Sequence, residues 1–190
     1  MVIGVLALQG DFKEHMASLR SHGVEGRDVR TPADLKEVNA LILPGGESTT
    51  MAKLLISSGL NKEIVQRAKK KMPIWGTCAG AILLATDVVS PVPLECTLGL
   101  LDMTVERNSY GRQLNSFLGQ VEGLKEPFDA SFIRAPRISR LGRGVRVLAR
   151  CRKDRVMMRE KNILATTFHT ELGGENKVLE YFLSQMIEKR

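Results

Sequence analysis

The sequence predicts an α/β fold: one three-layer α/β/α domain over residues 1–190, built on a mostly parallel mixed sheet. Short, nearly continuous apolar runs at residues 2–8, 40–43 and 73–75 read as strands covered on both faces, the pattern of a parallel sheet. Segments of helical period alternate with these runs, which is the order that builds crossover units. A chain of 190 residues, 43% hydrophobic and 26% charged, suits one packed core and disfavours disorder, collagen-like repeats and coiled-coil rods.

The elements follow in order. After the opening strand, Asp11 precedes Glu14 by three residues, a capping-box spacing, and Phe12, Met16 and Leu19 recur at helical intervals up to Gly23, which ends the helix. Residues 24–30 form a second strand. Thr31-Pro32 opens a helix with proline at its first position, and residues 40–43 return as a buried strand. Helices are expected over 49–55 and 62–71, a strand at 73–75, a tight turn at 76–80 and a buried helix at 79–85. Residues 88–95, with Pro91 and Pro93, read as a surface loop. The second half offers strands at 103–106, 119–122, 131–133 and 145–151. Residues 155–159 and 163–168 flank Glu160-Lys161-Asn162 as a hairpin, and Val178, Tyr181, Phe182 and Met186 mark one face of a final helix over 177–187.

Composition narrows the function. No apolar stretch has the length of a membrane crossing, and Lys13 and Glu14 interrupt any signal-peptide pattern, so a cytoplasmic protein is expected. Cys78, Cys96 and Cys151 are odd in number with no paired spacing, which argues against disulfides and against a zinc site. The net charge of +7 is concentrated between Arg134 and Arg159, where nine arginines and Lys153 face only Asp154. That stretch is either a solvated basic rim, broken by Pro136, Gly142 and Gly144, or a docking surface for an acidic partner. One Trp and two Tyr offer little for base stacking, so no nucleic-acid partner is expected.

The chemistry centres on Gly76-Thr77-Cys78-Ala79-Gly80, which lies between an apolar strand and a helix and has the form of a nucleophile elbow. Small neighbours permit a cramped turn that lifts the Cys78 thiol above the strand end, and the following helix N-terminus favours the thiolate by roughly 1 kcal/mol or somewhat less. A lone cysteine is most often a packing residue; this setting points to a nucleophile. An acyl-transfer thiolate needs a base. Of the three histidines, His15 and His22 lie on the first helix or its end, where surface positions are expected, whereas His169 follows an apolar run and has Glu171 two residues on. A period of two puts both side chains on one side of an extended segment, which completes a Cys-His-Glu triad. Pro44-Gly45-Gly46-Glu47-Ser48-Thr49 ends a central strand, and N–H groups there and at Ala79 suit an oxyanion hole. No Gly-Lys-Ser/Thr follows, so this is not a phosphate loop.

Together these residues resemble the class I glutamine amidotransferases, a flavodoxin-like α/β fold. Leu8-Gln9-Gly10-Asp11, Glu106-Arg107-Asn108-Ser109-Tyr110-Gly111-Arg112-Gln113, Phe132-Ile133-Arg134-Ala135-Pro136 and Phe168-His169-x-Glu171-Leu172 make the chain similar, within that family, to the glutaminase subunits of pyridoxal 5'-phosphate synthase. The resemblance implies hydrolysis of L-glutamine to L-glutamate through a thioester on Cys78, with His169 moving protons and Glu171 orienting it. Ammonia would pass to a separate synthase subunit in a hetero-oligomer. It also implies substrate binding by Gly46, Glu47, Ser48, Arg107, Ile133 and Arg134, an oxyanion hole at Gly46 and Ala79, and no cofactor or metal. The family usually has proline between the triad histidine and glutamate; here Thr170 stands there, with a freer φ and an additional N–H donor. A cysteine hydrolase or peptidase acting on another acyl group, and a non-catalytic regulatory subunit that keeps the pocket for recognition, are the competing readings.

Overall fold

The computed structural model describes residues 1–107, 116–172 and 176–187; Asn108 to Gln113 of the arginine-containing motif lie outside the described residues. In chain order the first elements are β1 (Val2–Leu6), α1 (Phe12–Ser21), β2 (Glu25–Val29), α2 (Pro32–Lys36) and β3 (Ala40–Leu43). Then come α3 (Ser48–Ser57), α4 (Leu60–Lys69), β4 (Ile74–Thr77) and α5 (Ala79–Leu84). Strands follow: β5 (Ala85–Val89), β6 (Leu101–Glu106), β7 (Ser116–Val121), β8 (Phe128–Ile133), β9 (Arg137–Leu141), β10 (Arg146–Cys151), β11 (Asp154–Glu160) and β12 (Ile163–Thr166). The last helix, α6 (Lys177–Phe182), runs into a π-helical segment, Leu183–Ile187.

Seven strands form the central sheet in the order β10-β11-β12-β4-β3-β1-β2. From β12 to β2 every neighbouring pair is parallel, and β11 and β10 add antiparallel strands at one edge. Residue alternation sorts the core onto two faces. Leu41, Leu43, Ile74, Ile163 and Ala165 join Met51, Leu55, Leu60, Ile64 and Leu83 from α3, α4 and α5. Ala40, Ile42, Trp75 and Leu164 join Leu19 of α1 and Val178, Leu179 and Phe182 of α6 on the other. Each four-residue strand is therefore buried on both sides, which is why these runs are continuously apolar. A three-stranded sheet, β5-β6-β9, and a β7-β8 pair lie beside the main one.

Local signals account for several boundaries. Thr31 caps α2 in a reciprocal capping box with Asp34, with Pro32 in the first turn. The β11-β12 hairpin closes through Lys161 at φ 52°, with Glu160 opposite Ile163. Elsewhere the expectations shift. Asp11 makes no side-chain cap bond to α1; its carboxylate lies 3.8 Å from His169 Nδ1 instead. Residues 88 and 89 are not loop but the end of β5, paired with β6. β9 carries a single buried side chain, Ile138, among its arginines, so no apolar alternation announces it. Much of the basic stretch is spent internally: Arg140 pairs with Asp102 (2.7 Å) and Asp87 (3.4 Å), Arg137 with Asp154 (3.3 Å), and Arg155 donates to the Ile138 and Ser139 carbonyls.

The approach of α5 to β3 is set by glycine. The Gly80 N–H donates to the Pro44 carbonyl at 3.2 Å, and a Cβ at Gly80 would collide with the Leu43 carbonyl oxygen. Gly80→Ala is therefore expected to lower stability by about 1–3 kcal/mol, read as a reduced denaturant midpoint at unchanged slope.

Candidate active site

The parallel order β12-β4-β3-β1 puts the carboxyl ends of four adjacent strands on one edge, where ligand crevices of open α/β sheets form. The segments leaving those ends carry His169, Cys78, Gly45-Gly46-Glu47-Ser48 and Gln9-Gly10-Asp11 respectively. They enclose a cavity of about 520 Å³, within the range of small-molecule sites. Gly46, Glu47, Ser48, Cys78, Ala79, Arg107, Ile133, Arg134 and His169 all line it. Glu171 stands behind His169 with its side chain wholly buried.

Cys78 links β4 to α5 at φ 49° and ψ −102°, a sparsely populated conformation that costs roughly 1–3 kcal/mol for a residue with a Cβ. The strain is held by neighbours on both sides. The Cys78 N–H donates to the Thr166 carbonyl of β12 at 2.8 Å, while a Cβ at Gly76 would come within 2.6 Å of the Gly80 carbonyl. The thiol consequently points into the cavity, 3.8 Å from the Ile133 carbonyl. Ala79 opens α5, so its N–H has no intrahelical acceptor and is available at the cavity wall.

His169 is fixed through its backbone and its ring. Its backbone exchanges hydrogen bonds with Ser131 of β8 (2.8 and 3.2 Å), and its Nδ1 lies 2.6 Å from Glu171 Oε1. Burial disfavours its charged form, but the neighbouring Cys78 and Glu171 outweigh it and push the pKa up to about 10. Burial would likewise keep Glu171 protonated; the electrostatic attraction of the His15 and His169 rings and the His169 hydrogen bond hold its pKa below the ordinary value. The β8 bridge also delivers Ile133 and Arg134 to the rim, the latter at φ 45°. Gly45 leaves room for the imidazole: a Cβ there would strike His169 Cε1.

Thr170 makes two contacts that proline would not. Its N–H donates to Glu171 Oε2 at 2.9 Å, and its hydroxyl donates to Asn176 Oδ1 at 2.7 Å. Asn176 in turn donates to Ser18 Oγ at 3.0 Å and caps α6 through Leu179 N. The loop is thus tied to α1 and α6 by side-chain bonds.

Glu47 caps α3, accepting from Thr49 N (2.9 Å), Thr50 N (2.7 Å) and Thr50 Oγ1 (2.8 Å). Although partial burial opposes ionisation, these donors lower its pKa to about 2. Arg107 reaches it at 3.4 Å and also donates to Thr49 Oγ1, Ser90 Oγ and the Val92 carbonyl. A carboxylate and a guanidinium therefore sit together at the cavity wall, matching the ammonium and carboxylate of a free amino acid.

The sequence reading missed a partner of this site. His15, expected at the surface, is buried at 1% exposure, with Nε2 3.5 Å from Glu171 Oε1. The buried face of α1 is His15, Ser18 and Leu19 rather than Phe12, Met16 and Leu19, and the i, i+4 relation of His15 to Leu19 is the signal that locates it. Gln9, in the Leu8-Gln9-Gly10-Asp11 segment, also lines the cavity, and its Oε1 accepts from Glu47 N at 2.9 Å. A polar residue just past a central parallel strand is itself a site signal. Asp11, His169 and Glu171 bring three potential ligand atoms within 4.8 Å of one another. His169 and Glu171 are already committed to the hydrogen bonds above.

Because the folded pKa of His169 is raised above the unfolded 6.5, its stabilising contribution is fully present below pH 6.5 and is lost as pH rises through about 10. Chemical denaturation from pH 6 to 10.5 is expected to show declining stability, and His169→Gln is expected to flatten that decline. Thr170→Val, which strips a buried acceptor of its hydroxyl donor, is expected to cost about 1–3 kcal/mol in the same assay.

The profile of the SNO glutamine amidotransferase family matches residues 5–188. "Pyridoxal 5'-phosphate synthase subunit PdxT" of a Dehalococcoides mccartyi strain is 48% identical, covering 96% of each chain, and the protein of that name from Fervidobacterium nodosum is 44% identical, covering 100% of each. A crystal structure described as a glutamine amidotransferase superposes with a TM-score of 0.91 at 45% identity, covering 96% of this chain and 97% of its own. The Thermotoga maritima PurLQS structure, at 20% identity and a TM-score of 0.69 with 96% of each chain covered, shares the fold.

Proposed function

This chain belongs to the SNO glutamine amidotransferase family, and on that footing we propose that it is the glutaminase subunit of a pyridoxal 5'-phosphate synthase, acting as one domain over residues 1–190. The observation that carries the proposal is the cavity that Cys78 and His169 both line, with His169 Nδ1 held at 2.6 Å by buried Glu171. That geometry supports amide hydrolysis at a free amino acid.

L-Glutamine binds with its ammonium toward Glu47 and its α-carboxylate toward Arg107, while Gly46, Ser48, Ile133 and Arg134 shape the rest of the pocket. The Cys78 sulfur attacks the side-chain carbonyl carbon, and the negative oxygen that forms is met by the N–H groups of Gly46 and Ala79. His169, positively charged at neutral pH, gives its proton to the leaving nitrogen, releasing ammonia and leaving a γ-glutamyl thioester on Cys78. The now neutral imidazole takes a proton from water, whose oxygen attacks the thioester. Collapse returns the sulfur and releases L-glutamate. Glu171 orients His169 and stabilises its charged form throughout.

Free ammonia near neutral pH is mostly ammonium, which is not nucleophilic, so the synthesis benefits from a sheltered path to a partner synthase subunit. All three cysteines are free thiols, which supports a reducing, cytoplasmic setting. Among the described residues no helix is long and apolar enough to cross a membrane.

The test mixes the protein with a synthase subunit and follows glutamate release and pyridoxal phosphate formation together. Both are expected to rise together, with much lower glutamate release by this chain alone. Cys78→Ala is expected to lose a factor of order 10⁴ or more in turnover while its melting curve stays cooperative. Undiminished turnover by that variant would remove the mechanism, and cleavage of peptides without glutamine would favour a peptidase.

A further inference from the structure

Glu171 Oε1 already takes the His169 Nδ1–H at 2.6 Å, yet a second imidazole is aimed at the same oxygen. His15 Nε2 lies 3.5 Å from it, has almost no solvent exposure, and has no hydrogen-bond partner in the structure. The His15 ring is not free to turn elsewhere. It stands edge-on to Trp75, with centroids 5.3 Å apart and planes at 88°, and Trp75 is anchored by its Nε1–H to Thr166 Oγ1 at 3.0 Å. A buried ring nitrogen whose nearby acceptor is an ionised carboxylate has one favourable state, the neutral tautomer with the proton on Nε2.

We propose that His15 is a positioning residue, whose Nε2–H steadies Glu171 Oε1 in line with His169 as positive charge builds on the catalytic ring. This deepens the glutaminase reading above and rests on it. The groups that face His15 are Glu171, His169, Asp11 and Glu14; burial dominates over the attraction of the carboxylates and keeps its pKa below the ordinary value. His15 therefore stays neutral beside a histidine that must be charged, and it donates to the carboxylate without competing for the proton that His169 uses. The geometry is shared between two remote segments. α1 supplies His15 and Ser18, and Ser18 is tied through Asn176 to Thr170, so both oxygens of Glu171 are governed by contacts that lead to neighbouring groups outside the cavity.

The experiment has two arms. In the first, histidine-¹⁵N-labelled protein is observed by NMR near pH 7.5, with the His15 signals assigned by their loss in His15→Gln. Nε2 is expected to show the shift of a protonated, pyrrole-type nitrogen, and an unprotonated, pyridine-type Nε2 would overturn the proposal. In the second, steady-state glutamate release is measured in complex with the synthase subunit for wild type, His15→Leu and His15→Gln. The apolar variant is expected to lose on the order of 10- to 100-fold in kcat with KM little changed, and the glutamine variant, which keeps a donor at that reach, to recover most of it. Equal kcat for His15→Leu and wild type, or no rescue by glutamine, would refute the role. If the wild-type complex itself releases no glutamate, the glutaminase reading fails instead, and the NMR arm still decides whether the His15 to Glu171 contact exists.

Discussion

One strand pairing holds the site together: β12 runs parallel beside β4, with Thr166 opposite Thr77. Both strands end there, and the Thr166 carbonyl accepts the N–H of Cys78 itself. Cys78 and the loop that carries His169 therefore leave the sheet side by side, although they are far apart in sequence. A single residue of slip in that pairing would turn Leu164 away from the core face that it shares with Trp75, so the register that aligns the site is the one that buries the core. The geometry of the cavity and hydrophobic burial select the same arrangement.

Around that pairing the fold handles a second constraint, the cost of ionised groups without water. Glu171 is wholly buried and so depends on donors. Thr170 N supplies one to Oε2, His169 Nδ1 supplies one to Oε1, and His15 Nε2 faces Oε1 from α1. The carboxylate and the imidazole stabilise each other's charge, so one is held below and the other above its ordinary pKa. Glu47 meets the same demand differently, at the surface end of a helix where backbone N–H groups have no intrahelical acceptors. Its low pKa is thus a product of helix geometry.

The threonine between His169 and Glu171 illustrates how one local feature can replace another. Proline would restrain the backbone through its ring. Thr170 is restrained by its environment instead, through a buried chain of hydrogen bonds that reaches Asn176 and Ser18. The consequence is a loop whose order depends on tertiary partners, and a Glu171 with one more donor than proline would allow.

The apolar four-residue runs, the capping pattern at Thr31-Pro32, the small residues around Cys78 and the two-residue spacing of His169 and Glu171 are local signals, and each was legible in the sequence because local sterics and periodicity produce it. β5's extent and β9 were not legible, since backbone pairing with β6 holds them and neither carries a regular apolar face. Nor was the place of His15: whether a histidine on a helix meets water or a carboxylate depends on which way the helix rolls against the sheet, and on α1 the rolled-in face differs from the one periodicity suggests. Sequence alone determined which groups have the chemistry. The tertiary structure decided which of them meet and what charge they carry, because distance and desolvation, the quantities that set a pKa and align a proton transfer, exist only once the chain is packed.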